Sequence, residues 1–431
     1  MEWSALILIS VFFALLLLNV PISFCIGLAT LCTMLLSMDL LPAVTTLAQR
    51  MAGGLNSFAL LAIPFFVLSG LLMGRGGIAK RLIEAAMALV GSLPGGLALV
   101  NVLSCMLFGA ISGSAVAATS AIGSFMVPEM KKQGYDVNYS AAVTAAAATT
   151  GMLIPPSNIM IVYAIASGGV SIAALFVAGY LPGILLGTGL MVVCAGYAKL
   201  KGYPLAARLP LSLTFKKMAA AIPSLLMIIL VIGGIISGAF TATEAGAIAV
   251  VYSFVLAVCV YREVKIKELP AILLKSAETT AIVMALIATS AAMSWILSYE
   301  NIPQTVSQGL LTLSENPLLI LLLINIILLV VGAFMDMTPA VLIFTPIFLP
   351  VAVELGMSPL HFGIMMILNL SIGLVSPPVG SVLFVACAVA KTKLESLIKP
   401  LLPMYAAMFV VLMMVTYIPA ISEFLPALFG L

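Results

Sequence analysis

Charge is scarce in this sequence. Asp, Glu, Lys and Arg make up only 8% of 431 residues, and there is a single histidine. A chain so poor in charge cannot cover a soluble surface of its size, so a soluble multidomain protein is excluded. No HExxH helix occurs, and only one acidic residue, Asp336, falls mid-way through a hydrophobic stretch, so no metal site or diacid site is supplied. No phosphate-binding Gly-x-x-x-x-Gly-Lys loop is present, which removes an ATP-driven pump. A buried nucleophile–base pair is missing too: Ser114 lies mid-stretch, whereas His361 starts a stretch at its mouth and reads as an interfacial residue. An enzyme is therefore not expected, nor a cofactor, nor nucleic acid as a partner. The six cysteines include no close CxxC pair and read as small apolar packing residues. Met1–Ser4 carries an acid and no base, so the first apolar run is no cleavable signal.

What is present is hydrophobicity: 63% of the residues, with a mean hydropathy of +1.29. Apolar runs long enough for a ~30 Å hydrocarbon core recur along the chain. Full crossings are expected near 4–19, 22–38, 59–73, 140–166, 170–198, 219–238, 244–261, 277–298, 360–388 and 401–421. Two further segments, 95–130 and 317–352, are long but interrupted near the middle by Gly, Ser, Asp or Pro. If each is a re-entrant hairpin that enters and leaves by one side, 17 of the 18 Lys and Arg residues sort to the inside, leaving only Arg50 outside. The positive-inside rule supports that arrangement, with both termini periplasmic.

A repeat gives the arrangement meaning. Pro128 answers to Pro350, Gly134 to Gly356, Gly151 to Gly373, Pro155 to Pro377 and Pro156 to Pro378, each 222 residues on. With 24 Pro and 34 Gly in the chain, the chance of this at one preset offset is ~10⁻⁶. Each half has three crossings, a hairpin and two crossings, and five is odd, so the second half is inverted. The expected fold is an all-α polytopic membrane protein, a five-plus-five inverted repeat of ten full spans and two re-entrant helical hairpins. The first repeat covers 1–200 with hairpin 95–130 opening to the cytoplasm. A basic cytoplasmic connector, 201–216, leads to the second repeat, 217–431, with hairpin 317–352 opening to the periplasm.

Chemistry is expected at the interruptions, because paired broken helices in inverted repeats mark transporter binding sites. The first hairpin turns through Ser112, Gly113, Ser114 and on to Thr119. Its facing span breaks at Thr149, Thr150, Gly151 and Pro155. The second hairpin turns at Asp336, Met337 and Thr338, and its facing span breaks at Ser371, Gly373, Ser376 and Pro377. Mid-span prolines free carbonyls that, with hydroxyls, can cage Na⁺, while half-helix N-termini offer N–H groups to a carboxylate. Asp336 is the strongest single candidate, since a mid-membrane charge is expensive; capping its own helix is the plainer role. Glu244 and Glu278 read as helix caps. Asn56 reads equally as a hairpin partner or an N-cap.

The segment from Ile111 to Met130, with Ser57–Phe66, Ile154–Ser157 and Ser371–Gly380, resembles the large membrane subunit of tripartite ATP-independent periplasmic (TRAP) transporters. The resemblance covers nearly the whole chain. It implies an elevator-type transporter of the ion-transporter superfamily in a bacterial inner membrane, coupling Na⁺ to a small organic acid. It also implies two partners, a small four-helix membrane subunit and a periplasmic substrate-binding protein, and Na⁺ sites drawn from the turns and breaks named above. A departure falls at Ala118, where several members carry Asp. A stand-alone divalent-anion/Na⁺ symporter of similar architecture is the alternative.

Overall fold

The computed structural model describes residues 2–203, 210–314 and 316–431, so Arg208 and the middle of the 201–216 connector lie outside the described residues. Every regular element among them is helical. Helices α1 (Glu2–Leu17) and α2 (Ile22–Ser37) pair across a short turn. An amphipathic helix, α3 (Leu40–Gly54), follows. A single turn of 3₁₀ helix from Phe58 then runs into α4 (Ala62–Arg75) and, beyond a left-handed Gly77, into α5 (Ile78–Val90). Neither α3 nor α5 is a crossing by hydropathy. Each buries one face only, Ile78, Ala79 and Leu82 in the case of α5.

The first interrupted segment is a helical hairpin, α6 (Gly96–Ser112) and α7 (Ala115–Lys132). The span after it is broken as the Pro-Pro pair requires: α8 (Val137–Ala148), a 3₁₀ turn at Thr149–Met152, then α9 (Asn158–Ala166). Long α10 (Ile172–Lys201) closes this half.

The second half follows the same order. Helices α11 (Leu211–Ile236) and α12 (Ala242–Phe254) precede α13 (Leu269–Tyr299), which runs unbroken where α3 and α4 are separate. Then come α14 (Ile302–Leu313), the hairpin α15 (Pro317–Phe334) and α16 (Met337–Glu354), and the broken pair α17 (Pro359–Gly373) and α18 (Ser381–Ala390). Helix α19 (Leu394–Tyr417) and a short α20 (Ala420–Leu428) end the chain. Helices α7 and α16, α8 and α17, and α10 and α19 begin 222 residues apart (337−115, 359−137, 394−172). Eight helical runs among the described residues are long and apolar enough to cross a membrane.

Two devices join each hairpin to its facing broken helix. One is a buried amide. The Asn101 amide donates to Thr144 Oγ1 at 2.7 Å, tying α6 to α8, and the Asn369 amide donates to Asn325 Oδ1 at 2.8 Å, tying α17 to α15. Such bonds are retained because hydrocarbon offers no competing partner. The other device is backbone approach. A Cβ on Gly151 would lie 2.4 Å from Gly109 Cα, and one on Gly373 would lie 2.5 Å from Gly332 Cα. Only glycine permits contacts that close.

Several readings of single residues change. His361 is not interfacial: it is 1% exposed, with Nδ1 on the Ser422 hydroxyl of α20 and Nε2 3.2 Å from the Thr416 carbonyl. Glu278 is no cap; it pairs with Lys275 at 3.2 Å on an exposed face of α13. Asn56 caps nothing and stays exposed in the turn before Phe58. Glu244 does cap, in a reciprocal box with Thr241 that opens α12. All six cysteines are free thiols.

Candidate functional site

Both hairpin tips open onto one cavity of about 360 Å³. At the first tip α6 ends in Gly113, whose φ of +59° suits glycine. Ser114 then caps α7, its hydroxyl oxygen accepting from the Ala117 N–H at 3.2 Å. The Ser112 hydroxyl donates to the Ser114 carbonyl at 3.4 Å, tightening the turn. The tip rests on the facing break, since a Cβ at Gly113 would come within 3.3 Å of both the Pro156 carbonyl and the Asn158 N–H. On the other side, Gly70 of α4 lets the Ser112 carbonyl approach closely.

The second tip has the same frame and different chemistry. Asp336 takes the position before α16 that Ser114 takes before α7, yet its side chain makes no cap hydrogen bond. Asp336 is open to the space around the tip. It borders the central cavity and also a second one of about 500 Å³ toward the α1–α2 turn at Asn19. The facing break is pinned to this hairpin by the Val379 N–H, which donates to the Ala333 carbonyl at 3.2 Å. From α19, the Tyr405 hydroxyl donates to the Val375 carbonyl and holds the break from behind.

The predicted residues divide into two groups. Ser112, Gly113, Ser114, Asp336, Met337 and Thr338 come together on the cavity wall. Thr119, Thr149, Thr150, Gly151, Pro155, Ser371, Gly373, Ser376 and Pro377 do not line it. All five of their hydroxyls donate to carbonyls three or four residues back: Thr119 to Ala115 at 2.8 Å, Thr149 to Ala146 and Thr150 to Ala147 at 2.6 Å, Ser371 to Leu368 at 2.7 Å, and Ser376 to Ile372 at 2.8 Å. A hydroxyl so engaged has spent its proton and keeps lone pairs that can face a cation. Gly151 and Gly373 act in helix approach, as above. Pro155–Pro156 and Pro377–Pro378 are both cis.

Three cavity residues escape sequence reasoning as site members: Asn158, Ser381 and Thr279. Asn158 and Ser381 open the half-helices α9 and α18 and sit just past each Pro-Pro pair, so the motif itself could have flagged them. Thr279 lies on α13, with no local signal. Asn158 Oδ1, Ser381 Oγ and, just behind, Ser157 Oγ are buried with no hydrogen-bond partner among the described residues. Buried orphans of this kind call for a ligand or water.

Helices α7, α9, α16 and α18 all begin on the cavity wall. Their free N–H groups carry partial positive charge, and no Lys, Arg or His lines the cavity among the described residues. The site can therefore receive an anion at helix ends while Asp336, hydroxyls and freed carbonyls attract a cation beside it. That combination suits passage of solutes, and nothing in it is poised for bond-breaking.

Comparison with known proteins agrees. Residues 9–421 match the family model described as the tripartite ATP-independent periplasmic transporter, DctM component. The Salmonella typhimurium protein YgiK is 51% identical over 428 residues, covering 99% of this chain and 98% of that one. The C4-dicarboxylate TRAP transporter large permease protein DctM of Pseudomonas aeruginosa is 44% identical over 389 residues, covering 90% and 91%. In fold alone, the chain resembles the solved Neisseria gonorrhoeae MtrF, from a class of antimetabolite efflux pumps, with a TM-score of 0.59 at 16% identity, over 89% of this chain and 85% of that one. A multi-pass helical membrane protein with a solute-sized cavity at two broken, repeated elements, matched from end to end by permease relatives, is a transporter and not an enzyme: the chain belongs to the DctM family of large TRAP permease subunits.

Proposed function

We propose that this chain is the Na⁺-coupled permease through which a small organic acid enters the cell, working as an elevator. The observation that carries the reading is the meeting of two hairpin tips, 222 residues apart in sequence, on one cavity that holds a carboxylate and four helix N-termini. In this account the chain is a five-plus-five inverted repeat in the bacterial inner membrane, with both termini periplasmic. Ten spans cross, and hairpins α6–α7 and α15–α16 re-enter from opposite sides. Na⁺ is cargo, held at Ser112–Ser114 with the Thr149–Pro156 break and at Asp336–Thr338 with the Ser371–Pro377 break. The acid's carboxylate lies between them at the N-termini of α9 and α18. With no basic side chain on the wall, the bound cations supply the positive charge the anion needs. The hairpins and broken helices move as one body against the remaining helices. A periplasmic substrate-binding protein delivers the acid, and a small four-helix membrane subunit completes the scaffold. The named relative points to C4-dicarboxylates as the first substrates to try.

The test is uptake into proteoliposomes holding this chain and its small subunit. Accumulation should require an inward Na⁺ gradient and the substrate-loaded binding protein. Uptake undiminished without the binding protein would favour the stand-alone symporter, and uptake indifferent to Na⁺ would end the coupling proposal.

A further inference from the structure

Remote from the hairpins, a cavity of about 720 Å³ opens between α3 and the C-terminal part of α13, lined by Thr46, Gln49, Arg50, Ser294, Trp295 and Ser298. Its one charge is Arg50. The guanidinium lies over the Trp295 ring, 5.1 Å from the centroid, and Trp295 in turn stacks on Tyr299 at 5.1 Å. Stacking holds the planar cation by its face and leaves its N–H edge free. Among the described residues no carboxylate pairs with Arg50 and no group accepts a hydrogen bond from it. Four hydroxyl or amide side chains surround it. This is a prepared seat for a carboxylate or phosphate.

The shape of α3 decides which source faces the seat. Leu40, Val44, Ala48, Met51 and Leu55 recur at spacings of four, four, three and four, which puts them on one helical face. That face is open, with Leu40 65%, Val44 43% and Leu55 42% exposed. In the charge-based topology it is the apolar side of a helix lying in a membrane interface. Thr46, Gln49 and Gly53 fall on the opposite side, so the Arg50 seat opens toward water and away from acyl chains. One positive seat accepts an acidic group at a single place, which fixes register.

We infer that the Arg50–Trp295 cavity is a docking socket for an acidic side chain of the soluble substrate-binding protein. The inference rests on the proposed function for the partner and on the charge-based topology, which leaves Arg50 as the one basic residue on the periplasmic side. It adds where that partner is gripped and by which chemistry. Gly53 supplies a clean probe, because a Cβ there meets nothing within 4 Å and a longer side chain would grow into the cavity.

The experiment measures binding of the soluble substrate-binding protein to the permease complex in nanodiscs, for the native chain, Arg50→Gln and Gly53→Leu. Each variant should raise the half-saturating concentration at least about tenfold, the usual scale for losing one seated charge pair. Maximal uptake at saturating binding protein should stay unchanged. Neutralising the matching acidic residue of the binding protein should add nothing on top of Arg50→Gln. Native-like binding by either variant would overturn the socket, as would a failure of the native complex to bind. So would a loss that tracks the anionic lipid content of the nanodisc, which would give the seat to a headgroup. Because the readout is binding, native docking without Na⁺-driven uptake would defeat the functional proposal and leave the socket standing.

Discussion

Asp336 and Ser114 occupy one position in two repeats, 222 residues apart, and differ only in what the side chain does. Ser114 turns back and caps its helix, whereas Asp336 leaves its helix uncapped and faces the cavities. Asparagine matches aspartate in size and shape and no cap hydrogen bond is there to lose, so Asp336→Asn removes the charge without loosening the tip. We expect normal expression and an apparent Na⁺ affinity for uptake weakened about tenfold, roughly 1.4 kcal/mol of lost cation binding. Unchanged Na⁺ dependence would reduce Asp336 to a residue of the turn. Asp336 was legible in the sequence because charge at mid-depth is costly wherever it occurs. His361 was not: its partners Thr416 and Ser422 lie 55 and 61 residues away, and α20, which buries it, is too short and mixed to read as an element. Thr279 was hidden for the same reason, since its place on the cavity is decided only by how α13 packs.

Interrupted helices were readable and amphipathic ones were not. The hairpins come out at Gly96–Ser112 with Ala115–Lys132 and at Pro317–Phe334 with Met337–Glu354, close to the sequence ranges, because Gly, Ser, Asp and Pro punctuate otherwise continuous apolar runs. Helices α3, α5 and α14 bury one face only, so their average hydropathy falls below that of a span, and the Gly and Pro at their ends read as loop punctuation. The glycines of the breaks carry a second message that spacing alone did not: they set how near two helices lie. Gly151 faces Gly109 with no room for a methyl group. Gly151→Ala must push α6 from the 3₁₀ turn after α8, an overpacking cost of about 1–3 kcal/mol. The expected outcome is a lower unfolding midpoint in nanodiscs together with slower uptake. A midpoint equal to the native one would show that the contact relaxes freely.

For the whole molecule, the repeat ties fold to mechanism. In the proposed topology, two hairpin tips of opposite insertion meet at one cavity, and the same site would then face either side in turn, as alternating access requires. In the proposed function, a wall with helix N-termini and, among the described residues, no basic side chain makes anion and cation binding interdependent. The direct test of that interdependence is entry of radiolabelled Na⁺ into proteoliposomes carrying the complete complex, measured with substrate-free and substrate-loaded binding protein. The account predicts that Na⁺ entry rises with substrate entry, in a fixed ratio, and that both fall together in Asp336→Asn. Substrate entry with no accompanying Na⁺, at any external Na⁺ concentration, would contradict it.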